Sequence, residues 1–92
     1  MRQLLLIKNR ERAERISSAI TRIMTLHGID TGSDGIQITV RSSPPRRPDK
    51  EINLMVSVGA REFRTVMSEA NFDVDLRLSA HTFGEWLRLF NN

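Results

Sequence analysis

The residues with the clearest chemical potential in this sequence are its arginines. Arg accounts for 12 of the 14 basic residues, and its planar guanidinium group binds phosphate or carboxylate through paired hydrogen bonds. Residues 1–50 carry ten Lys or Arg and five Asp or Glu, a balance of +5, whereas residues 51–92 carry four and six, a balance of −2. The sequence therefore predicts a basic first half that contacts phosphate or an acidic protein surface. A coding bias toward arginine is the alternative explanation for the large number of arginines.

Two groups of these basic residues have a defined spacing. On a helical wheel, the first group occupies a stripe about 80° wide beside the apolar face. Its members are Lys8, Arg12, Arg15 and Arg22. The second group surrounds a segment with three prolines, which stiffen the backbone. Its members are Arg41, Arg46, Arg47 and Lys50. We predict that both groups bind the partner or nucleic acid. The alternative is that these side chains are only solvated, with their aliphatic stems covering apolar surface.

Side chains suited to catalysis or metal binding are sparse. The chain has no cysteine and two histidines, His27 and His81, for which we predict structural roles. Asp73 and Asp75 alternate with apolar residues, which predicts a strand whose carboxylates form cross-strand ion pairs rather than an acid/base pair. Neither a Walker A loop nor a G-x-G-x-x-G motif occurs. We therefore predict no catalytic residues, no cofactor and no metal, and we do not expect an enzyme.

The first helix is the most clearly specified element. Residues 9–27 have apolar side chains at helical spacing, with Asn9 as the N-cap. His27 is the predicted C-cap, and Gly28 then takes the left-handed conformation of a Schellman motif. Residues 2–7 form either a short strand or the start of this helix.

The middle of the chain is predicted to form an antiparallel strand pair. Residues 36–40 alternate between apolar and polar side chains, and residues 52–58 do so less strictly. The prolines in residues 42–49 exclude regular structure, so this segment should be an exposed, stiff loop between the two strands.

The last third is predicted to form helix, strand and helix. Residues 60–70 have apolar side chains at helical spacing, with Asn71 capping the helix end. Residues 72–78 alternate and predict a strand. A C-terminal helix then begins at Ser79 or Thr82. We expect its apolar stripe to dock on the sheet. The stripe consists of Phe83, Trp86, Leu87 and Phe90.

These elements predict a single α+β domain over residues 1–92, with the order (β)αββαβα. A small antiparallel sheet of three or four strands would pack against three helices. If residues 2–7 form a strand, the first six elements follow the ferredoxin-like order, with an extra C-terminal helix. The strand 52–58 lacks the aromatic residues of RNA-binding sheets, and no glycine loop of the acyl-phosphate hydrolase kind follows the first apolar segment.

The predicted function is binding without catalysis. We expect the Arg-rich half to dock on a nucleic acid-handling complex, as phage- or mobile-element-encoded inhibitors of host defence systems of the anti-CRISPR type do. The alternative is a direct nucleic acid-binding regulator, for which a homodimer is one form. The longest apolar run, residues 4–7, is far shorter than the ~20 residues of a membrane span. We therefore expect no membrane contact and a cytoplasmic location, in the host cytoplasm if a phage encodes the protein.

Overall fold

The computed structural model describes residues 1–44 and 50–89. These residues form a sheet of four strands and two helices. The elements are, in chain order, β1 (Arg2–Leu6), α1 (Arg10–Leu26), β2 (Ile36–Ser42), β3 (Glu51–Val58), β4 (Arg61–Ser68) and α2 (Phe72–Arg88). Neither described helix is both long and apolar enough to cross a lipid bilayer.

The strands form a mixed sheet in the order β1-β2-β3-β4. β1 runs parallel to β2, with Leu4 opposite Thr39, whereas β2–β3 and β3–β4 are antiparallel pairs. The prediction of an antiparallel sheet is therefore wrong at the first pair. Parallel neighbours need a long crossover connection, and α1 provides it between β1 and β2. Of the two possibilities for residues 2–7, the strand is the one observed.

Helix α1 has the ends that its sequence predicts. The Asn9 side chain accepts a hydrogen bond from the Arg12 amide at 3.1 Å, which satisfies one of the free N–H groups of the first turn. At the other end, Gly28 has a φ of 75°, and the Ile29 amide donates to the Met24 carbonyl at 3.0 Å. This is the hydrogen bond that defines a Schellman motif. Both predicted caps are confirmed.

Residues 60–70 form a strand and its following turn, so the predicted helix is wrong. β4 pairs with β3 over eight residues, through a two-residue turn that begins at Gly59 with a φ of 62°. Two of the apolar residues that suggested a helix, Phe63 and Met67, also fit an alternating pattern, whereas Val66 lies on the other face. Phe63, Thr65 and Met67 lie on the helix side of the sheet, and Phe63 and Met67 are buried. The hairpin fixes the strand because it satisfies backbone hydrogen bonds along the whole segment.

Residues 72–78 form the first two turns of α2, so the predicted third strand is also wrong. Their alternation is compatible with a helix because Phe72 and Leu76 lie four positions apart on the same helical face. Phe83 continues that face, and all three side chains are buried. Asn71, which we predicted to cap a helix end, is instead the N-cap of α2 and makes no side-chain capping hydrogen bond.

The observed order of the described elements is βαβββα, with two helices instead of the predicted three. Ser79 and Thr82, the two predicted starts of the last helix, both lie inside α2. The order also differs from the ferredoxin-like one, in which the second helix precedes the last strand. The small α+β class is confirmed.

The hydrophobic core lies between one face of the sheet and both helices. Alternate strand residues point into it, as at Ile38, Val56 and Phe63, which share one register row. The fully buried side chains are Ile16, Ile20, Met24, Ile38, Val40, Ile52, Leu54, Val56, Met67, Phe83 and Leu87. The other face of the sheet carries neither of the two described helices.

The aromatic residues of α2 dock on β4. Phe83 meets Phe63 edge-on, with 5.3 Å between ring centroids, and stacks on Trp86 at 5.7 Å. The predicted docking of the apolar stripe is therefore confirmed for Phe83 and Trp86, and Leu87 is buried beside them. Phe90, the fourth residue of that stripe, lies outside the described residues.

Candidate binding surface

One end of the molecule gathers the N-termini of both helices and both ends of the proline-containing loop. β1 and β2 are parallel and end there, so α1 begins there too. β3 begins at the same end, where Glu51 lies opposite Ser68 at the end of β4. α2 follows β4 after three connecting residues. We call this region the helix-start end; it comprises residues 7–15, 42–44, 50–51 and 68–75.

A cavity of about 340 Å³ at the helix-start end lies between the predicted helical stripe and the residue that leads into the proline-containing loop. Lys8 and Arg12, from the predicted helical stripe, line it together with Ser42 and Glu69. Ser42 is the last residue of β2 and leads directly into the proline-containing loop. The beginning of the stripe and the beginning of the loop therefore lie side by side.

The second end of the loop is held at the same place. The Lys50 carbonyl accepts a hydrogen bond from the Glu69 amide at 2.9 Å. Lys50 is exposed, and its backbone is therefore fixed beside one of the residues that line the cavity. Arg46 and Arg47, the two predicted contact residues within the loop, lie outside the described residues.

Two arginines of the stripe take part in the contact between the helices. The guanidinium carbons of Arg12 and Arg15 lie 5.3 and 5.1 Å from the centroid of the Phe72 ring, within the range of a cation–π interaction. Phe72 is 5% exposed. Arg15 also forms an ion pair with Asp73, with 2.6 Å between Nη1 and Oδ1. Arg15 therefore has a structural contact within the chain, and the partner contact that we predicted for it stays a prediction.

Of two other predicted residues, one lies away from the helix-start end and one points to a different face of the molecule. Arg22 is exposed and follows Arg12 by ten positions on α1, which places it about 15 Å further along the helix. Arg41 is exposed on the sheet face opposite the helices, because Val40, its neighbour in β2, points into the core. The six predicted residues that the structure describes, Lys8, Arg12, Arg15, Arg22, Arg41 and Lys50, therefore do not form one continuous patch.

Acidic residues share the helix-start end with these cations. Asp73 and Asp75 lie in the first turn of α2, so the predicted cross-strand ion-pair ladder is wrong. The Asp75 carboxylate accepts a hydrogen bond from the Ser68 amide at 2.7 Å, which joins the end of β4 to α2. The Arg15 ion pair compensates the charge of Asp73. Lys8, Arg12 and Lys50 form no ion pair with any residue that the structure describes.

The second candidate surface is the face of the sheet that carries no described helix, and the sequence analysis did not identify it. We call it the open sheet face. It consists of Arg2, Leu4, Leu6, Gln37, Thr39, Arg41, Asn53, Met55, Ser57, Glu62, Arg64 and Val66. A shallow depression of about 550 Å³ lies at its centre, over Thr39 and Met55. The alternation of apolar and polar residues at 36–40 and 52–58 was the sequence signal for this surface, because it placed one row of each strand on a common face.

The histidines lie at the opposite end of the helices. His27 is the C-cap of α1 and His81 is exposed on α2, and both line a cavity of about 360 Å³. Among the described residues, no group of three His, Cys, Asp or Glu side chains is arranged to hold a metal ion.

Comparison with known proteins adds no functional information. No family model, curated protein or solved structure matches the chain. The chemistry of the two surfaces is therefore the basis for a functional argument. The helix-start end presents three cations that form no ion pair with any described residue, beside two helix N-termini and six carboxylates, and such cations can bind anionic groups. The open sheet face combines apolar and charged side chains, which suits contact with a protein surface.

Proposed function

We propose that this chain is a non-enzymatic binding protein that docks on a nucleic acid-handling complex through the helix-start end. The observation that carries this proposal is the cavity shared by Lys8, Arg12 and Ser42. It supports the proposal because it places the beginning of the basic stripe beside Ser42, the residue that leads into the loop.

Three cations at the helix-start end, Lys8, Arg12 and Lys50, support a phosphate-rich or acidic partner. Lys8 and Lys50 are exposed, and Arg12 is partly exposed although it covers the Phe72 ring. The N-termini of α1 and α2 add partial positive charge at the same end. Six carboxylates at the same end oppose this charge, and one of them, Asp73, is compensated by Arg15. They are Glu11, Glu14, Glu51, Glu69, Asp73 and Asp75. The remaining cations can neutralise phosphates, and each such contact releases counterions.

Inhibition of a host defence complex, as by anti-CRISPR proteins, is the form of this function that we propose. A short chain that blocks the nucleic acid channel of a large complex needs a rigid cationic surface and no catalytic group. A rigid helix end and a loop anchored at both Ser43 and Lys50 meet that requirement, since the Ser43 amide donates to the Glu51 carbonyl at 2.9 Å. Little conformational entropy is lost when such a surface binds.

Capture experiments with charge-reversed variants test the proposal. The double variant Lys8→Glu with Lys50→Glu should lose the captured complex from a host lysate, and Arg46→Glu with Arg47→Glu should weaken capture. Arg22→Glu is the control because it reverses one exposed charge away from the helix-start end. Retained capture by both double variants would overturn the proposal.

A direct nucleic acid-binding regulator is distinguished in the same experiment by nuclease treatment. If binding is direct, nuclease removes the captured proteins, and the purified chain binds bare DNA or RNA with an affinity that falls steeply as salt rises. If the chain docks on protein, capture survives nuclease and bare nucleic acid is not bound.

A further inference from the structure

We propose that the open sheet face pairs with the same face of a second copy of this chain, in a homodimer whose two-fold axis runs parallel to the strands. Two features of the sheet carry this inference: opposite charges at the two ends of one register row, and exposed apolar residues at the two ends of another. A two-fold axis parallel to the strands places each end of a row against the other end of the same row in the second copy, so opposite charges meet and apolar residues meet.

The register divides the open sheet face into three rows that run across the strands from β1 to β4. The first row is Arg2, Gln37, Ser57 and Glu62. The second row is Leu4, Thr39, Met55 and Arg64. The third row is Leu6, Arg41, Asn53 and Val66. Both β1 and β4 are edge strands, so each row begins and ends at an edge of the sheet.

The first row has a cation at one edge and an anion at the other. A two-fold axis parallel to the strands places β1 of one copy over β4 of the other and keeps the rows aligned. Arg2 then faces Glu62 of the second copy. In its own chain, Glu62 Oε2 accepts from Arg64 Nη2 at 3.1 Å, and Oε1 can accept from the incoming guanidinium group. Symmetry produces this ion pair twice.

The third row has an exposed apolar residue at each edge. Leu6 is 56% exposed and Val66 is 49% exposed. The same two-fold axis places Leu6 on Val66 of the second copy, and it places Val66 on Leu6 of that copy. Two apolar contacts therefore form at the edges, and they remove these side chains from water.

The residues in the middle of the face are also compatible with this arrangement. Thr39 faces Met55 of the second copy, and the flexible Met side chain can enter the depression above Thr39. Arg41 faces Asn53 of the second copy, whose amide oxygen accepts a guanidinium hydrogen bond. Leu4 faces Arg64 of the second copy, and this pair lacks complementary chemistry. No like charges oppose each other within a row, although each face carries three arginines, Arg2, Arg41 and Arg64, and one carboxylate, Glu62.

A two-fold axis perpendicular to the strands is less favourable. If it passes through the middle row, it brings Arg64 against Arg64 of the second copy, and like charges in contact are destabilising. It also places Glu62 against Val66, and Leu6 against Arg2. The distribution of charge therefore selects the axis parallel to the strands.

The size of the open sheet face sets the expected strength of the dimer. Four strands about 4.8 Å apart and five residues about 3.4 Å apart cover a footprint of roughly 20 by 17 Å. That footprint falls below the ~800 Å² per partner of a standard stable interface. The dimer should therefore dissociate with a Kd of about 10–100 µM.

Sedimentation velocity of the untagged chain over a range of concentrations tests the dimer. The weight-average mass should rise from the monomer value of 10.6 kDa toward twice that value. A mass that stays at the monomer value up to about ten times the expected Kd would overturn the proposal.

Charge exchange tests the orientation of the two copies. Arg2→Glu alone and Glu62→Arg alone should each raise the dimer Kd about tenfold, since each makes both symmetric pairs like-charged. The double variant Arg2→Glu with Glu62→Arg should return the Kd to within about threefold of the original, because opposite charges again face each other. Arg22→Glu, on the helix layer, should leave the Kd unchanged. Failure of the double variant to recover association, with circular dichroism confirming that it folds, would contradict the proposed axis.

Discussion

Arg15 and Asp73 join the two helices through an ion pair in which Nη1 lies 2.6 Å from Oδ1. Asp73 lies in the first turn of α2, where a carboxylate interacts favourably with the helix dipole. The Arg15 guanidinium group also lies over the Phe72 ring, 5.1 Å from its centroid. One arginine therefore makes two contacts with the beginning of α2, and both contribute to stability.

A double-mutant cycle measures how much the contact between Arg15 and Asp73 contributes to the free energy of unfolding. Arg15→Ala should lower the free energy of unfolding by about 1–1.5 kcal/mol, because it removes the ion pair and the cation–π contact. Asp73→Ala should cost about 0.5 kcal/mol, since the Asp73 side chain is 67% exposed and solvent screens the pair. Urea denaturation gives both values and their coupling. Arg22→Ala is the control and should change stability by less than about 0.5 kcal/mol; an equal loss for Arg15 and Arg22 would contradict the structural role of Arg15.

Leu76 and Leu78 distinguish the helix from the strand that the sequence suggested. In α2, Leu76 is 7% exposed and Leu78 is 61% exposed, whereas in a strand they would point to the same side. Leu78→Lys should change the free energy of unfolding by less than about 0.5 kcal/mol, and Leu76→Lys should lower it by about 3 kcal/mol or more. Chemical denaturation followed by Trp86 fluorescence measures both. Similar losses in the two variants would be inconsistent with α2.

Gly59 permits the hairpin that replaces the predicted helix at residues 60–70. Its φ of 62° lies in the left-handed region, so Gly59→Ala should destabilise the protein by about 1 kcal/mol. Gly35 is the matched control. It has no positive φ, and a Cβ added there would meet its nearest atoms at 3.8 Å, an ordinary contact. Thermal denaturation should show a lower Tm for Gly59→Ala and little change for Gly35→Ala, and the reverse order would exclude the strained-turn explanation.

The helix α1 could be predicted from the sequence because its signals are local. Asn9 caps the first turn through a hydrogen bond to a residue three positions away. Gly28 ends the helix through its own backbone conformation. Signals of this kind depend on neighbouring residues along the chain, so they need no information about tertiary contacts.

The segment from 60 to 78 could not be predicted because its apolar residues fit two periods. Phe63 and Met67 are four residues apart, which suits one face of a helix and one face of a strand equally well. The same ambiguity holds for Phe72 and Leu76. Residues 61–68 become a strand because they pair with β3. Residues 72–78 become a helix because their buried side chains continue the face that carries the buried Phe83.

The amino-acid sequence alone determined the composition of the candidate surfaces: an arginine-rich first half, a stiff proline-containing loop and a helix with fixed ends. Only the tertiary structure decided which cations are available for binding. It directs Arg15 to Asp73, covers Phe72 with Arg12, and turns Arg41 to the open sheet face. The physical reason is that a guanidinium group can bind a carboxylate, an aromatic ring or a phosphate. Its role therefore depends on what the fold places within reach.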